Sequence, residues 1–327
     1  MPRDLLVLRQ RLAPAIDGGE RITGVLPFTV GHSSDTYLLQ GLDRVLRTRP
    51  DGEGLLPPYD MARQHAILAA VAAAEGGPPV PRVYELCEDE AVIGAPFYIM
   101  ERRPGEAFER HDQPSWFSEG APALRDSMCT QWIDAMVAVH RLPAETVPGP
   151  LTTPFDDIKR WYDIARHLDA PTALLELQED LLRNPPPRSG EPTVVHGDLK
   201  QGNCLWHEGK LSALLDWELA GQGEPMTDLG YVIAHFRDGD DEPAQWSLCP
   251  PGWWSREQVV RAWEAGTGRQ AAGLRRHEFA AMAKIATIIL LGAGLHARGG
   301  TSDPRIARWD AKLIDYMERI AYRRARS

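Results

Sequence analysis

The chain has 327 residues, of which 43% are hydrophobic and 25% charged, an ordinary globular composition that excludes a disordered, collagenous or coiled-coil chain. A formal charge of −10 suits it poorly to wrapping a nucleic-acid backbone, so no nucleic-acid partner is expected. The four cysteines, Cys87, Cys129, Cys204 and Cys249, match no metal-ligand spacing and read as reduced thiols of a cytoplasmic protein.

Residues 1–16 start an amphipathic helix with charges throughout; lacking an apolar run and a small-residue cleavage site, they predict no secretory leader. Two short β-rich runs, 26–30 and 36–40, flank the turn Gly31-His32-Ser33-Ser34-Asp35, and further strands are predicted over 44–47 and 97–101. Between them, 59–74 has helical apolar spacing at Met61, Ile67, Leu68 and Val71. Pro and Gly clusters at 76–81, 185–192 and 299–304 mark loops.

After Pro104 the pattern turns helical, over 124–140, 155–168, 255–265, 278–295 and 306–323. One β-like island interrupts it, at 193–195, 204–206 and 211–215. The apolar run 285–295 is bounded by Lys284 and by His296 and Arg298; it is too short to span a bilayer and predicts a buried core helix and no membrane partner. Two lobes follow, an N-terminal one over 1–102 and a larger one over 103–327, hinged near 102–105 with a ligand cleft between them.

The chemistry concentrates in His196-Gly197-Asp198-Leu199-Lys200-Gln201-Gly202-Asn203, followed by Leu215-Asp216-Trp217-Glu218. Phosphoryl transfer needs a carboxylate to orient and deprotonate a hydroxyl, and an Asn and an Asp to hold magnesium. Asp198 and Asn203 lie five apart on one loop, and Asp216 arrives from the next strand. Two carboxylates and an Asn converging there would repel one another without a cation. No P-loop, Gly-x-Gly-x-x-Gly, His-Glu-x-x-His or Gly-x-Ser-x-Gly pattern competes.

This pattern resembles the aminoglycoside phosphotransferase and choline kinase-like superfamily, relatives of protein kinases. Leu215-Asp216-Trp217-Glu218-Leu219-Ala220, Gly223-Glu224-Pro225 and Asp228-Leu229-Gly230-Tyr231 are similar to one branch, the kinase-like domains attached to, or encoded beside, acyl-CoA dehydrogenases. Further matches at 33–39, 45–47, 80–83, 94–101 and 267–269 extend the likeness over roughly residues 25 to 300. The resemblance implies an α+β, two-lobed protein-kinase-like fold and an ATP- and Mg2+-dependent phosphotransferase.

It also implies roles. Asp198 would be the catalytic base, and Lys200 would offset transition-state charge near the γ-phosphate. Asn203 and Asp216 would bind Mg2+, with Glu218 helping at a second ion. The turn with Gly31, Ser33, Ser34 and Thr36 would cover the phosphates, and Met100 and Glu101 would present backbone to adenine. Arg47 stands where the phosphate-binding lysine is usual, and its fork suits phosphate oxygens. Its helix partner, usually Glu, is Gln64, which could still accept a hydrogen bond from Arg47.

The branch points to a hydroxyl of a small molecule, a hydroxyacyl-CoA first, and to a functional link with an acyl-CoA dehydrogenase. The alternatives are an aminoglycoside acceptor and a nucleotide-binding relative without catalysis. A CoA thioester would need Arg and Lys near the cleft, an aminoglycoside a cluster of carboxylates. A protein substrate is disfavoured, because only about a dozen residues separate Asp216 from Asp228 and no Ala-Pro-Glu follows. His196 and Asp228 read as braces of the loop and His140 as a core histidine. Residues 238–242 lack a calcium-loop pattern and read as a solvated acidic loop; Lys159, Arg160 and Arg166 read as a solvated face. Trp161 and Trp253-Trp254 are candidates to wall a substrate pocket.

Overall fold

The computed structural model describes residues 3–28, 34–301 and 303–326. The N-terminal lobe is a five-stranded antiparallel sheet of β1 (Gly24–Pro27), β2 (Asp35–Gln40), β3 (Arg44–Thr48), β4 (Val83–Cys87) and β5 (Phe97–Glu101), in the order β1-β2-β3-β5-β4. Three helices accompany it: α1 (Leu5–Leu12), α2 (Met61–Ala73) and the single turn α3 (Glu90–Ile93). Asp4, Asp60 and Asp89 cap these helices by accepting hydrogen bonds from free backbone N–H groups of the first turns. Two apolar clusters cover the sheet. Leu12, Leu39, Leu46 and Phe97 belong to one, and α2 supplies Met61, Ile67 and Val71 to the other.

The rest is mainly helical: α4 (Ser115–Ser118), α5 (Pro122–Arg141), α6 (Pro154–His167), α7 (Thr172–Arg183), α8 (Pro225–Ala234), α9 (Arg256–Thr267), α10 (Leu274–Ala297) and α11 (Trp309–Arg324). Capping boxes at Thr153/Asp156 and Ser255/Gln258 set the starts of α6 and α9. Two small hairpin-like pairs sit among the helices, β6 (Thr193–Val195) with β9 (Gly221–Gly223) and β7 (Cys204–His207) with β8 (Lys210–Leu214). The catalytic-loop sequence runs from β6 to β7, and Asp216 follows β8.

The predicted elements are found with ends shifted by up to a few residues. β1 is shifted towards the N-terminus: Gly24–Pro27 pairs with Tyr37–Gln40, so the strand starts two residues before the predicted one, while positions 29–30 lie outside the described residues. Six of these elements were not predicted, the short α3, α4 and β9 and three longer ones. β4 is an edge strand with a half-exposed pattern. α8 is buried on nearly every side and so has no polar stripe to reveal its period. α7 carries a readable stripe at Leu174, Leu177 and Leu181 that the prediction omitted.

The 285–295 run is part of a longer helix. α10 has 24 residues and is long and apolar enough to cross a membrane by length and composition. In the fold it is the central helix of the second lobe, packed on α6, α7, α8 and α11, with Glu278 and Lys284 buried along it.

The acidic segment 238–242 also departs from the expectation of a solvated loop. Glu242 is 1% exposed and receives Arg319 (3.1 Å) and Arg323 (2.8 Å) from α11. Asp238 pairs with Arg256 and Arg275. The arginines hold the Glu242 carboxyl down at about 2 against the burial that pushes it up. The acidic run thus anchors α11 to the lobe.

Candidate active site

Asp198 is fixed at both carboxylate oxygens. The Asn203 Nδ2 donates to Oδ2 at 2.7 Å, and the Tyr231 hydroxyl donates to Oδ1 at 2.5 Å. Asn203 also donates to the Asp198 carbonyl at 2.7 Å, which closes the loop on itself. Leu215 N–H donates to the Asn203 carbonyl at 2.8 Å, bringing the strand that delivers Asp216 alongside.

The loop rests on Asp228. Its carboxylate accepts the backbone N–H groups of His196 (2.7 Å) and Gly197 (2.8 Å), and meets His140 Nε2 at 3.1 Å. Trp263 Nε1 donates to His140 Nδ1, leaving Nε2 to donate to Asp228. Burial pushes the Asp228 carboxyl up, but these donors outweigh it and hold the group below the ordinary carboxylate range. His196 sits in the loop with Nε2 on the Leu215 carbonyl, and burial lowers its pKa. The bracing expected of His196 and Asp228 matches this geometry, and His140, expected as a core histidine, is buried but also bonds the Asp228 carboxylate. Gly197 is at φ +81°, and a Cβ there would meet the Leu219 carbonyl at 2.6 Å, so only glycine fits.

Asp216 takes a left-handed backbone (φ +68°), uncommon for a non-glycine residue. Its carboxylate meets Arg47 of β3 at 2.5 Å, and Glu218 meets the same nitrogen at 3.3 Å. The cation that these carboxylates require is therefore, in this fold, a side chain of the other lobe. Burial disfavours both charges, but the pairing outweighs it: Arg47 is held as a firmer cation and Asp216 below its ordinary value.

Among the described residues Arg47 makes no hydrogen bond to Gln64, which is buried on α2. The hydrogen bond that Gln64 was expected to be able to accept from Arg47 is therefore not made in this structure. With its own charge directed at Asp216, the guanidinium has left the helix partner behind, and its Nε is buried without a hydrogen-bond partner.

Lys200 meets Glu109 at 3.4 Å. Burial opposes its charge, yet Asp198, Glu109 and Asp216 outweigh that and raise its pKa. Ser34 donates to Glu218 at 3.4 Å, and Thr36 pairs with Arg47 across β2 and β3. Gly31 and Ser33 lie outside the described residues. Met100 and Glu101 end β5 at the hinge, where the Glu101 N–H donates to the Arg82 carbonyl at 2.7 Å. Trp161 is buried near the catalytic loop, 5.6 Å from Lys284, whereas Trp253 packs away from it against Phe117, Trp132 and Trp206. Lys159 pairs outward with Asp163, as a solvated face requires.

Asp216, Glu218 and the amide oxygen of Asn203 are hard oxygen donors of the kind Mg2+ takes. Among the described residues no group of three or more His, Cys, Asp or Glu side chains could hold a metal, so an ion here would depend on the amide oxygen and on phosphate. The donor set fits on those terms. Tyr231, Glu109 and Lys284 escaped the sequence reading of the site, because two helices and a loop distant in sequence bring them in.

A two-lobed fold with these residues at the seam defines a kinase-type phosphotransferase. The chain belongs to the phosphotransferase enzyme family, whose model matches residues 24–279, and it is a small-molecule kinase. It is 33% identical over 224 residues to acyl-CoA dehydrogenase family member 11 of Gallus gallus, covering 65% of this chain and 28% of that protein. It is 32% identical over 244 residues to acyl-CoA dehydrogenase family member 10 of Mus musculus, covering 66% and 22%. The chain therefore spans about a quarter of the length of these relatives. Its fold is similar to a Ralstonia eutropha protein assigned as an aminoglycoside phosphotransferase (TM-score 0.73, 24% identity, covering 96% and 95%). It is also similar to aminoglycoside phosphotransferase APH(4)-Ia in complex with AMP-PNP and hygromycin B (TM-score 0.58, 16% identity, covering 95% and 97%).

Proposed function

We propose that the protein transfers the γ-phosphoryl group of ATP to a hydroxyl of an anionic small molecule, a hydroxyacyl-CoA or a close relative. The observation that carries this is the arrangement of Asp198: a carboxylate clamped at both oxygens, with Lys200 two residues on and with Asp216, Glu218 and Arg47 meeting at the lobe interface. The complex of the similar fold with AMP-PNP supports ATP as donor.

In this reading Asp198 orients the acceptor hydroxyl and takes its proton as the oxygen bonds to the γ-phosphorus. The bond from that phosphorus to the ADP oxygen breaks, and ADP leaves with the electron pair. Lys200 and Arg47 stand where charge develops on the transferred group. Asp216, Glu218 and Asn203 would hold Mg2+, which when bound neutralises phosphate charge.

The acceptor class rests on charge. Lys200 and Lys312 of α11 lie close to each other near the catalytic loop, with Glu109 beside both. Cations there suit an acyl-CoA better than a polycationic aminoglycoside. The names of the relatives, acyl-CoA dehydrogenase family members 10 and 11, agree with an acyl-CoA acceptor and with a partner dehydrogenase.

The test is ADP release from ATP and Mg2+ over a panel of 3- and 4-hydroxyacyl-CoAs and aminoglycosides, with Asp198→Ala as control. Turnover on a hydroxyacyl-CoA that vanishes in Asp198→Ala is the expected result. Turnover on an aminoglycoside alone would overturn the acceptor assignment, and ATP binding without ADP release on any substrate would favour a non-catalytic relative.

A further inference from the structure

Tyr231 lies on α8 and Lys284 on α10, and the two helices pack tightly against each other. Gly230 makes the approach possible, since a Cβ there would meet the backbone carbon of His277 at 2.6 Å. The contact places a hydroxyl and an ammonium next to the catalytic base from outside the catalytic-loop sequence.

The Tyr231 hydroxyl donates to Asp198 Oδ1 at 2.5 Å, opposite the bond from Asn203 to Oδ2. One donor would leave the carboxylate free to rotate about its Cβ–Cγ bond; two donors on different elements fix its plane. Burial and the neighbouring Asp198 push the phenol well above its ordinary value, so it remains a donor.

Lys284 is 5% exposed. Its ammonium donates to the Gly197 carbonyl at 2.5 Å, one residue before the base, and lies 5.2 Å from the Tyr231 ring centroid and 5.6 Å from that of Trp161. Among the described residues no carboxylate pairs with it. A buried ammonium without a counter-ion is costly to fold around, and the rings and one carbonyl offset only part of that. An apolar side chain such as methionine would fill the same volume without the penalty. A charge kept at such a cost, with its contacts on the loop before the base and on the ring that bonds the base, points to a role in the reaction rather than in stability.

We propose that Tyr231 and Lys284 are a positioning pair for Asp198. Lys284 pins the loop backbone at Gly197 and the Tyr231 ring; Tyr231 sets the rotation of the carboxylate, so that a remaining lone pair faces the acceptor hydroxyl. Neither residue touches the transferred group. The inference rests on Asp198 being the base for phosphoryl transfer, but not on which alcohol is the acceptor.

The experiment uses the full chain with Tyr231→Phe, Lys284→Met and Lys284→Arg, each alone, and Tyr231→Phe combined with Asp198→Ala. Transfer to an active acceptor and ATP hydrolysis by water are both followed by single-turnover ADP release, alongside the KM for ATP and the thermal midpoint. Tyr231→Phe is expected to lower kcat for transfer about 10- to 30-fold, with the KM for ATP within about twofold and an unchanged midpoint. In the Asp198→Ala background it should add less than about twofold, because it acts through that carboxylate. Lys284→Arg should retain more activity than Lys284→Met.

Multiplying effects in the double variant, or a fall in midpoint and ATP affinity in step with kcat, would overturn the pair as positioning residues. Should Lys284→Met fail to fold, the Tyr231→Phe cycle and Lys284→Arg still decide. A wild-type protein active only on another alcohol would sink the acyl-CoA acceptor and leave this test intact. One that neither transfers nor hydrolyses would sink both.

Discussion

The ion pair that joins the lobes at the site makes a quantitative prediction. Arg47, from β3, is 12% exposed at its side chain, and its carboxylate partners Asp216 and Glu218 are 24% and 9% exposed. Exposed pairs contribute about 0–1 kcal/mol, whereas removing one partner of a fully buried pair costs about 3–5 kcal/mol. This triad is only partly shielded, so Arg47→Met should destabilise by about 2–3 kcal/mol, mostly through two carboxylates left facing each other. Asp216→Asn leaves Arg47 its contact with Glu218 and should cost about 1 kcal/mol. In the double variant half of the repulsion is gone, so it should be more stable than the sum of the single losses by about 1–2 kcal/mol. Urea unfolding of the four proteins, without nucleotide and with EDTA, gives the cycle directly. Additivity within about 0.3 kcal/mol would refute the claim that this pair couples the lobes.

Asp198→Ala should lower turnover by at least about 100-fold while ATP affinity stays within about twofold; a variant keeping more than a few per cent of activity would remove Asp198 as base. Asp228→Asn puts an amide where three donors converge, so it should destabilise by about 3 kcal/mol in urea, and a loss under about 0.5 kcal/mol would show that the loop does not rest on that carboxylate. Burial lowers the pKa of His235 to about 3 and lowers those of His196 and His277, so the folded protein holds them neutral while the unfolded chain protonates below about 6.5. Stability should therefore be flat above pH 6.5 and fall by up to about 1.4 kcal/mol per pH unit for each such histidine below it, and His235→Gln should flatten that slope measurably in unfolding curves taken from pH 7 to 4.5.

The catalytic loop was legible because its residues are contiguous. Asp198 and Asn203 bond within one turn of chain, and Asp228 meets the backbone of His196 and Gly197 as a brace should. Most of the long amphipathic helices and most strands were legible from period, whereas α8, buried on nearly every side, was not. What sequence did not reveal depends on distance. Arg47 reaches Asp216 only because two lobes close on one seam, so the pairing that spacing suggested, with Gln64 on the neighbouring helix, lost to a carboxylate 169 residues away. Glu242 looked like one more acid in a solvated run, and its burial follows from Arg319 and Arg323 on the last long helix. Tyr231 stood in a recognised motif yet had no assigned role, since α8 is buried all round and gives no facing direction.

On the proposed reading, acceptor choice belongs to a different part of the chain from the chemistry. The base and its supports come from the loop between β6 and β7 and from α5, α8 and α10, whereas Glu109 and Lys312 stand on a loop and on α11 at the acceptor side. Lys312 lies close enough to Lys200 and Glu109 to act on both, and its side chain is solvent-exposed. An exposed cation of this kind acts on encounter with a charged ligand and is screened by salt. Lys312→Glu should accordingly lower kcat/KM for an anionic acceptor about 3- to 10-fold at low ionic strength, leave the KM for ATP unchanged, and lose most of that effect by about 0.5 M salt. An unchanged kcat/KM at low salt would remove α11 from the acceptor wall, and a change confined to ATP would place Lys312 on the nucleotide side instead.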